Sequence, residues 1–172
     1  IRDRLCESMK KMEHDIIASS SQLAIADWNS NHDSMTQLYN KRHYKEQLRE
    51  LQEDGTIGVL YFDIDNLKKM NDTFGHEKGY AVILKAAEFI RGYLSEQASG
   101  FRIGGDEFVM LVKDCTEQKV QELVNIMRTD ERGNLSDVTA EFCCRLAIGG
   151  AFRKTGEALE DTIKRADDEM YK

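Results

Sequence analysis

The sequence predicts an α/β (α+β) domain whose mixed, largely antiparallel sheet is flanked by helices and preceded by a separate N-terminal helix. Three observations predict it. Strand-like and helical segments alternate along most of the chain, while hairpins interrupt the alternation. A seven-residue apolar repeat is confined to residues 1–28, so that segment is read apart from the domain at 29–172. A length of 172 residues suits one core plus an appendage.

In the first segment Leu5, Met9, Met12, Ile16, Ser19, Leu23 and Ala26 are spaced alternately four and three apart. That is the seam of a short two-stranded coiled coil, with Ser19 and Ala26 as its weak points. The alternative is an amphipathic helix packed on its own domain. Asn29-Ser30-Asn31-His32-Asp33 reads as a polar break. A helix follows from Lys41 to about Gln52, and a buried strand from Thr56 to Phe62, after Asp54-Gly55. Glu77 to Leu94 is helical; Gly100 to Ile103 and Phe108 to Val112 are strands joined by Gly104-Gly105-Asp106-Glu107. Thr116 to about Arg128 is helical, Val138 to about Phe152 is strand, and Glu157 to Tyr171 closes the chain as a helix.

Composition narrows the function. With 24 Lys and Arg against 31 Asp and Glu, the acidic balance disfavours broad nucleic-acid binding. A small anionic ligand stays open, because backbone amides and a metal can hold phosphates locally. Cys6, Cys115, Cys143 and Cys144 form no C-x-x-C pair and read as reduced thiols. No apolar run approaches a membrane span. The expected setting is cytoplasmic, or the cytoplasmic portion of a membrane-attached sensor, with no direct membrane contact by this segment. The last residues read as the truncated end of a longer domain.

Two acidic clusters carry the chemistry. Phe62-Asp63-Ile64-Asp65-Asn66 ends the buried strand, and Asp63 and Asp65 share a face while that strand continues. Asp106-Glu107 lies at a Gly-Gly hairpin, where the simplest role of Gly104 and Gly105 is positive φ. Glycine also admits close approach of a ligand. Should strand and hairpin be neighbours, three or four carboxylates converge, an arrangement suited to Mg²⁺ (or Mn²⁺) beside a substrate phosphate. Lys68 and Lys69 follow as phosphate partners or as solvated surface.

Four motifs in order then resemble the GGDEF family, from Asp33 to the last residue. The opening motif Asp-x-Leu-Thr-Gly-Leu-x-Asn-Arg-Arg is matched by Asp33-Ser34-Met35-Thr36-Gln37-Leu38-Tyr39-Asn40-Lys41-Arg42. The central motif runs from Asp63-Ile64-Asp65-Asn66-Leu67-Lys68 through Asn71-Asp72-Thr73-Phe74-Gly75-His76. Gly104-Gly105-Asp106-Glu107-Phe108, preceded by Arg102, is the naming motif, and Ala166-Asp167-Asp168-Glu169-Met170-Tyr171 the closing one.

The resemblance implies a palm-like nucleotidyl-cyclase fold and a diguanylate cyclase that condenses two GTP into cyclic di-GMP across a homodimer. It implies Asp63, the Ile64 carbonyl and Asp106 as metal ligands. Glu107 acts on the attacking hydroxyl, as base or through a metal. The amides of Asn66 and Leu67, with Lys68, hold phosphates; Asn71 contacts guanine and His76 lines its pocket. Pairing through the N-terminal helix, under an upstream sensor domain, then becomes the switch.

Three departures matter. Tyr80 stands where active members place the Asp that reads guanine, and losing such a charge-assisted pair costs roughly 1.5–3 kcal/mol. It leaves open a cyclase of altered base preference, or a silent nucleotide-sensing or dimerising module. Gln37 replaces the opening-motif glycine. Ser95 and Ala98 replace the Arg and Asp of the product-inhibition motif, so feedback there is not expected.

Overall fold

The computed structural model of the chain describes residues 2–52, 55–130, 135 and 144–172. The element order is α1 (Arg2–Asn31), α2 (Lys41–Glu50), β1 (Ile57–Ile64), α3 (Leu67–Phe74), α4 (His76–Arg91), β2 (Ala98–Arg102), β3 (Glu107–Lys113), α5 (Glu117–Thr129), β4 (Leu146–Phe152) and α6 (Leu159–Met170). Among the described residues the sheet has the order β2-β3-β1-β4, and each strand pairing is antiparallel. The expected architecture is therefore present, with the parallel component reduced to an isolated bridge between Tyr39 and Phe101.

β1 is central, which is why Ile57–Ile64 is almost continuously buried rather than alternating. Its even-numbered side chains, Leu60, Phe62 and Ile64, face a core completed by α3, α4 and α5. Its odd-numbered ones, Val59 and Tyr61, face a smaller core built with α2 and α6. Phe62 and Phe108 are fully buried, and each such ring stabilises by about 1.5–3 kcal/mol. Glycines let the helices close on the sheet. A Cβ on Gly150 would strike Val124 of α5, and one on Gly149 would collide with the Ala166 carbonyl of α6.

Local signals set the helix starts. Asn40 accepts from the His43 amide at 3.0 Å to cap α2, and Thr116 accepts from the Lys119 amide at 3.2 Å to cap α5.

Several boundaries depart from expectation. α1 continues through Asn29 and Ser30 to Asn31, because side-chain bonds between Asn31 and Asp27 and from Arg42 to Ser30 tie down its last turn. β1 runs to Ile64, so Asp63 lies within the strand and Asp65 just beyond it. α3 is a separate helix that the periodicity did not reveal. Of the strand expected over 138–152, residues 138–143 (and with them Cys143) lie outside the described residues, as does Asp54. Cys115 and Cys144 are buried and Cys6 is exposed, all as free thiols.

The α1 seam does not pack on its own domain. Leu5, Met9, Met12, Ile16 and Leu23 are each at least 60% exposed. Among the described residues the helix is joined to the domain at its end, where Trp28 stacks on His32, His32 packs on Tyr39, and Tyr39 on Phe101 of β2. Among the described residues no helix is long and apolar enough to cross a membrane.

Candidate functional site

The antiparallel register places Asp63 directly opposite Glu107. Residues paired across two strands project to the same face, so both carboxylates emerge on the α6 side of the sheet. Asp106 is drawn alongside by its carbonyl, which accepts from the Ile64 amide at 3.1 Å. Burial raises the Asp63 carboxyl, and the charges of Asp106, Glu107, Asp65 and Asp167 push it further, to about 6. Asp167 comes from α6, brought close by the bare backbone of Gly149. The juxtaposition expected of strand end and hairpin is what the register creates.

Among the described residues no group of three or more His, Cys, Asp and Glu side chains closes on a metal unaided. The donor set still fits a hard divalent cation. Half-buried carboxylates repel one another, no ion pair among the described residues satisfies them, and Mg²⁺ habitually takes one or two carboxylates plus phosphate oxygens.

Positive φ, the simplest role expected of the hairpin glycines, is not what they supply. Neither Gly104 nor Gly105 has positive φ. A Cβ on Gly104 would sit 2.5 Å from Glu107 Oε2, so Gly104 makes room for that carboxylate. Arg102 fixes the hairpin from behind: one guanidinium nitrogen donates to the Gly105 carbonyl at 2.9 Å, and another pairs with Asp33 at 3.2 Å. Asp33 also accepts from the Thr36 amide and hydroxyl at 2.8 and 2.7 Å. Burial opposes ionisation of Asp33, but the Thr36 and Arg102 contacts outweigh it and hold the carboxyl below its usual range.

Beyond the strand, Asn66 turns the chain in a left-handed conformation (φ 64°), a geometry asparagine tolerates, and α3 begins with no side-chain cap. The first turn of α3 thus has no side-chain cap on its amides, and Lys68 beside it is exposed. Leu67 is buried, so it offers the site only its main chain. Asn71 lies one turn on, with a buried Oδ1 that has no hydrogen-bond partner. Gly79 of α4 lies against it, and any Cβ there would overlap the Asn71 amide. His76 and Tyr80 project one turn apart with ring centroids 6.4 Å apart, and Tyr80 is 51% exposed.

The structure thus gathers Asp63, Ile64, Asp106 and Glu107 at one point and spreads Asn66 to Tyr80 along α3 and α4. Sequence reasoning missed Gly79, Gly149, Asp167 and Tyr61. A lone glycine inside a helical pattern was the available signal for Gly79.

Comparison with known proteins points to one family. Residues 30–172 match the family model described as diguanylate cyclase, GGDEF domain. Probable diguanylate cyclase DgcJ of Escherichia coli is 29% identical over 144 residues, covering 81% of this chain but 28% of its own length. Diguanylate cyclase DosC of the same species is 28% identical over 81% of this chain and 32% of its own length. The chain thus spans about a third of those relatives.

Among solved structures, the GGDEF domain of DgcB from Caulobacter crescentus, in complex with c-di-GMP, superposes with a TM-score of 0.65 at 27% identity, covering 83% of this chain and 86% of that one. The coiled coil and GGDEF domain of the same protein gives 0.75 at 24% identity, over 97% and 92%, a likeness of fold. By motif, by register and by these matches, the chain belongs to the GGDEF family of diguanylate cyclase domains.

Proposed function

We propose that the chain is a diguanylate cyclase, condensing two GTP into cyclic di-GMP with release of pyrophosphate. The convergence of Asp63, Asp106 and Glu107, with Asp63 raised to about 6, is the observation that carries this reading. Structural carboxylates are normally satisfied; mutually repelling ones at a strand end suit a site completed by a cation and a triphosphate.

Asp63, the Ile64 carbonyl and Asp106 would hold Mg²⁺ or Mn²⁺. A divalent ion there supplies charge neutralisation on the phosphates and makes a neighbouring hydroxyl more acidic. The α3 amides of Asn66 and Leu67, with Lys68, take the β- and γ-phosphates. Asn71 contacts the guanine edge, with His76 and Tyr80 lining the base. Glu107 accepts the proton of the 3′-hydroxyl as that oxygen bonds to the α-phosphorus of the opposite nucleotide. The bond from that phosphorus to pyrophosphate breaks, and two such steps close the ring.

Each domain supplies half of this centre, so a second copy is required. The exposed α1 seam is the surface that would pair them, as a signalling helix under an upstream sensor. Incubating the chain with Mg²⁺ and GTP, ATP or both, with products identified by mass, tests the reading. Cyclic di-GMP from GTP is the expected product. No cyclic dinucleotide from any mixture, despite proven dimers, leaves a nucleotide-binding module instead.

A further inference from the structure

Glu107 sits in an unfavourable place for a group that must present one oxygen in a fixed direction. Asp63 faces it across the strand pair, Asp106 precedes it, and Asp167 approaches from α6. Like charges at this separation push a flexible glutamate outward unless something holds it. The cross-strand partner of Tyr61 is Val109, so Glu107 lies on the diagonal, two residues away on the same face. Diagonal pairs are within reach of long side chains. Tyr61 uses that reach: its hydroxyl donates to Glu107 Oε1 at 3.0 Å.

The ring behind this hydroxyl is fixed. Tyr61 is 8% exposed and belongs to the core between the sheet, α2 and α6. The other carboxylate oxygen, Oε2, lies against Gly104, where only hydrogen leaves room for it. One oxygen is held by a donor and the other by a backbone surface, so the carboxylate plane is determined.

We propose that Tyr61 is a positioning residue for the cyclisation reaction: its hydroxyl and the bare backbone of Gly104 clamp the two oxygens of Glu107, orienting that carboxylate toward the attacking hydroxyl. This rests on the role given to Glu107 above. A hydrogen bond to a charged group typically contributes enough that its loss shifts an equilibrium by about ten- to a hundredfold. The effect falls on the reacting geometry rather than on nucleotide binding, because Tyr61 approaches neither the α3 amides nor Asn71.

Two measurements on the intact chain test the proposal together. Steady-state kinetics with GTP and Mg²⁺ compare wild type with Tyr61→Phe, which keeps the buried ring and removes only the donor. The expected result is a kcat lower by about ten- to a hundredfold with KM within twofold. Thermal unfolding of Tyr61→Phe, Glu107→Gln and the double variant, without metal or nucleotide, forms a double-mutant cycle independent of turnover. The expected result is non-additivity, the double variant shifting Tm no further than the larger single change.

Full kcat in Tyr61→Phe beside an active wild type overturns the positioning role and leaves the cyclase reading intact. Additive Tm shifts overturn the clamp itself, whether or not the chain turns over. An inactive wild type contradicts the cyclase reading, and the thermal cycle then decides alone whether Tyr61 holds Glu107.

Discussion

Two groups of carboxylates lie at the same end of this sheet and behave in opposite ways. At the opening turn, Asp33 is satisfied by Thr36 and Arg102, and its carboxyl is held below the ordinary range. Across the hairpin, Asp63 faces Glu107, Asp106 and Asp167, and its carboxyl is raised to about 6. The same side-chain chemistry builds structure in one place and leaves an incomplete site in the other. The difference lies in what each carboxylate faces: donors that close the turn, or other anions that a cation must separate. Arg102 joins the two, since it pairs with Asp33 and also grips the Gly105 carbonyl of the hairpin.

Substitutions sharpen the contrast. Asp106→Ala or Asp63→Asn removes a site anion and should lower Mg²⁺-dependent turnover by about a hundred- to a thousandfold. Metal-free Tm should hold or rise, because repulsion is relieved; a large fall would assign these residues a structural role. Gly79→Ala should weaken binding of a GTP analogue by at least about tenfold, read by calorimetry, because its methyl displaces the Asn71 amide. Its helix tolerates alanine well, so folding should survive.

At the satisfied group, Arg102→Ala should destabilise by roughly 1.5–3 kcal/mol in chemical denaturation, since it strands a half-buried Asp33. Unchanged stability would mean that the two carboxylate groups do not differ as described.

The two kinds of carboxylate also carry opposite pH signatures. An acid raised by folding keeps its proton longer in the folded state, so Asp63 makes metal-free stability fall as pH rises from its ordinary 3.8 to about 6. Asp63→Asn should flatten that slope. Glu157, held at about 2 chiefly by Arg165, works the other way. Its contribution is complete above the ordinary 4.5 and is lost as pH falls toward 2, and Glu157→Gln should remove it.

The smallest change concerns Gln37, which occupies a left-handed conformation at φ 60°. Gln37→Gly relieves that strain and should stabilise by about 0.5–1 kcal/mol in denaturant unfolding.

The ends of this comparison were unequally legible in the sequence. Asp63, Asp106 and Glu107 announce themselves because strand, glycine hairpin and acidic residues are local patterns in fixed order. The helices beginning near Lys41 and Thr116 are legible for the same reason, because helical periodicity is a local pattern. What the sequence hides is pairing between distant residues. Tyr61 reads as one more apolar strand residue until the register sets it diagonal to Glu107. Gly149 draws no notice within its strand until α6 lies on it, and Gly104 and Gly105 suggest positive φ until Glu107 is seen beside the first. The break before α4 hides α3, because eight residues carry too little periodicity to stand alone.

One measurement bears most directly on the claim that this carboxylate cluster awaits a cation: anomalous diffraction from crystals grown with Mn²⁺ and a non-cyclising GTP analogue. The expected result is a single strong peak within coordination distance, about 2–2.5 Å, of both Asp63 and Asp106, with the triphosphate alongside. A bound nucleotide with no peak between those two residues, or with manganese held elsewhere, would contradict it.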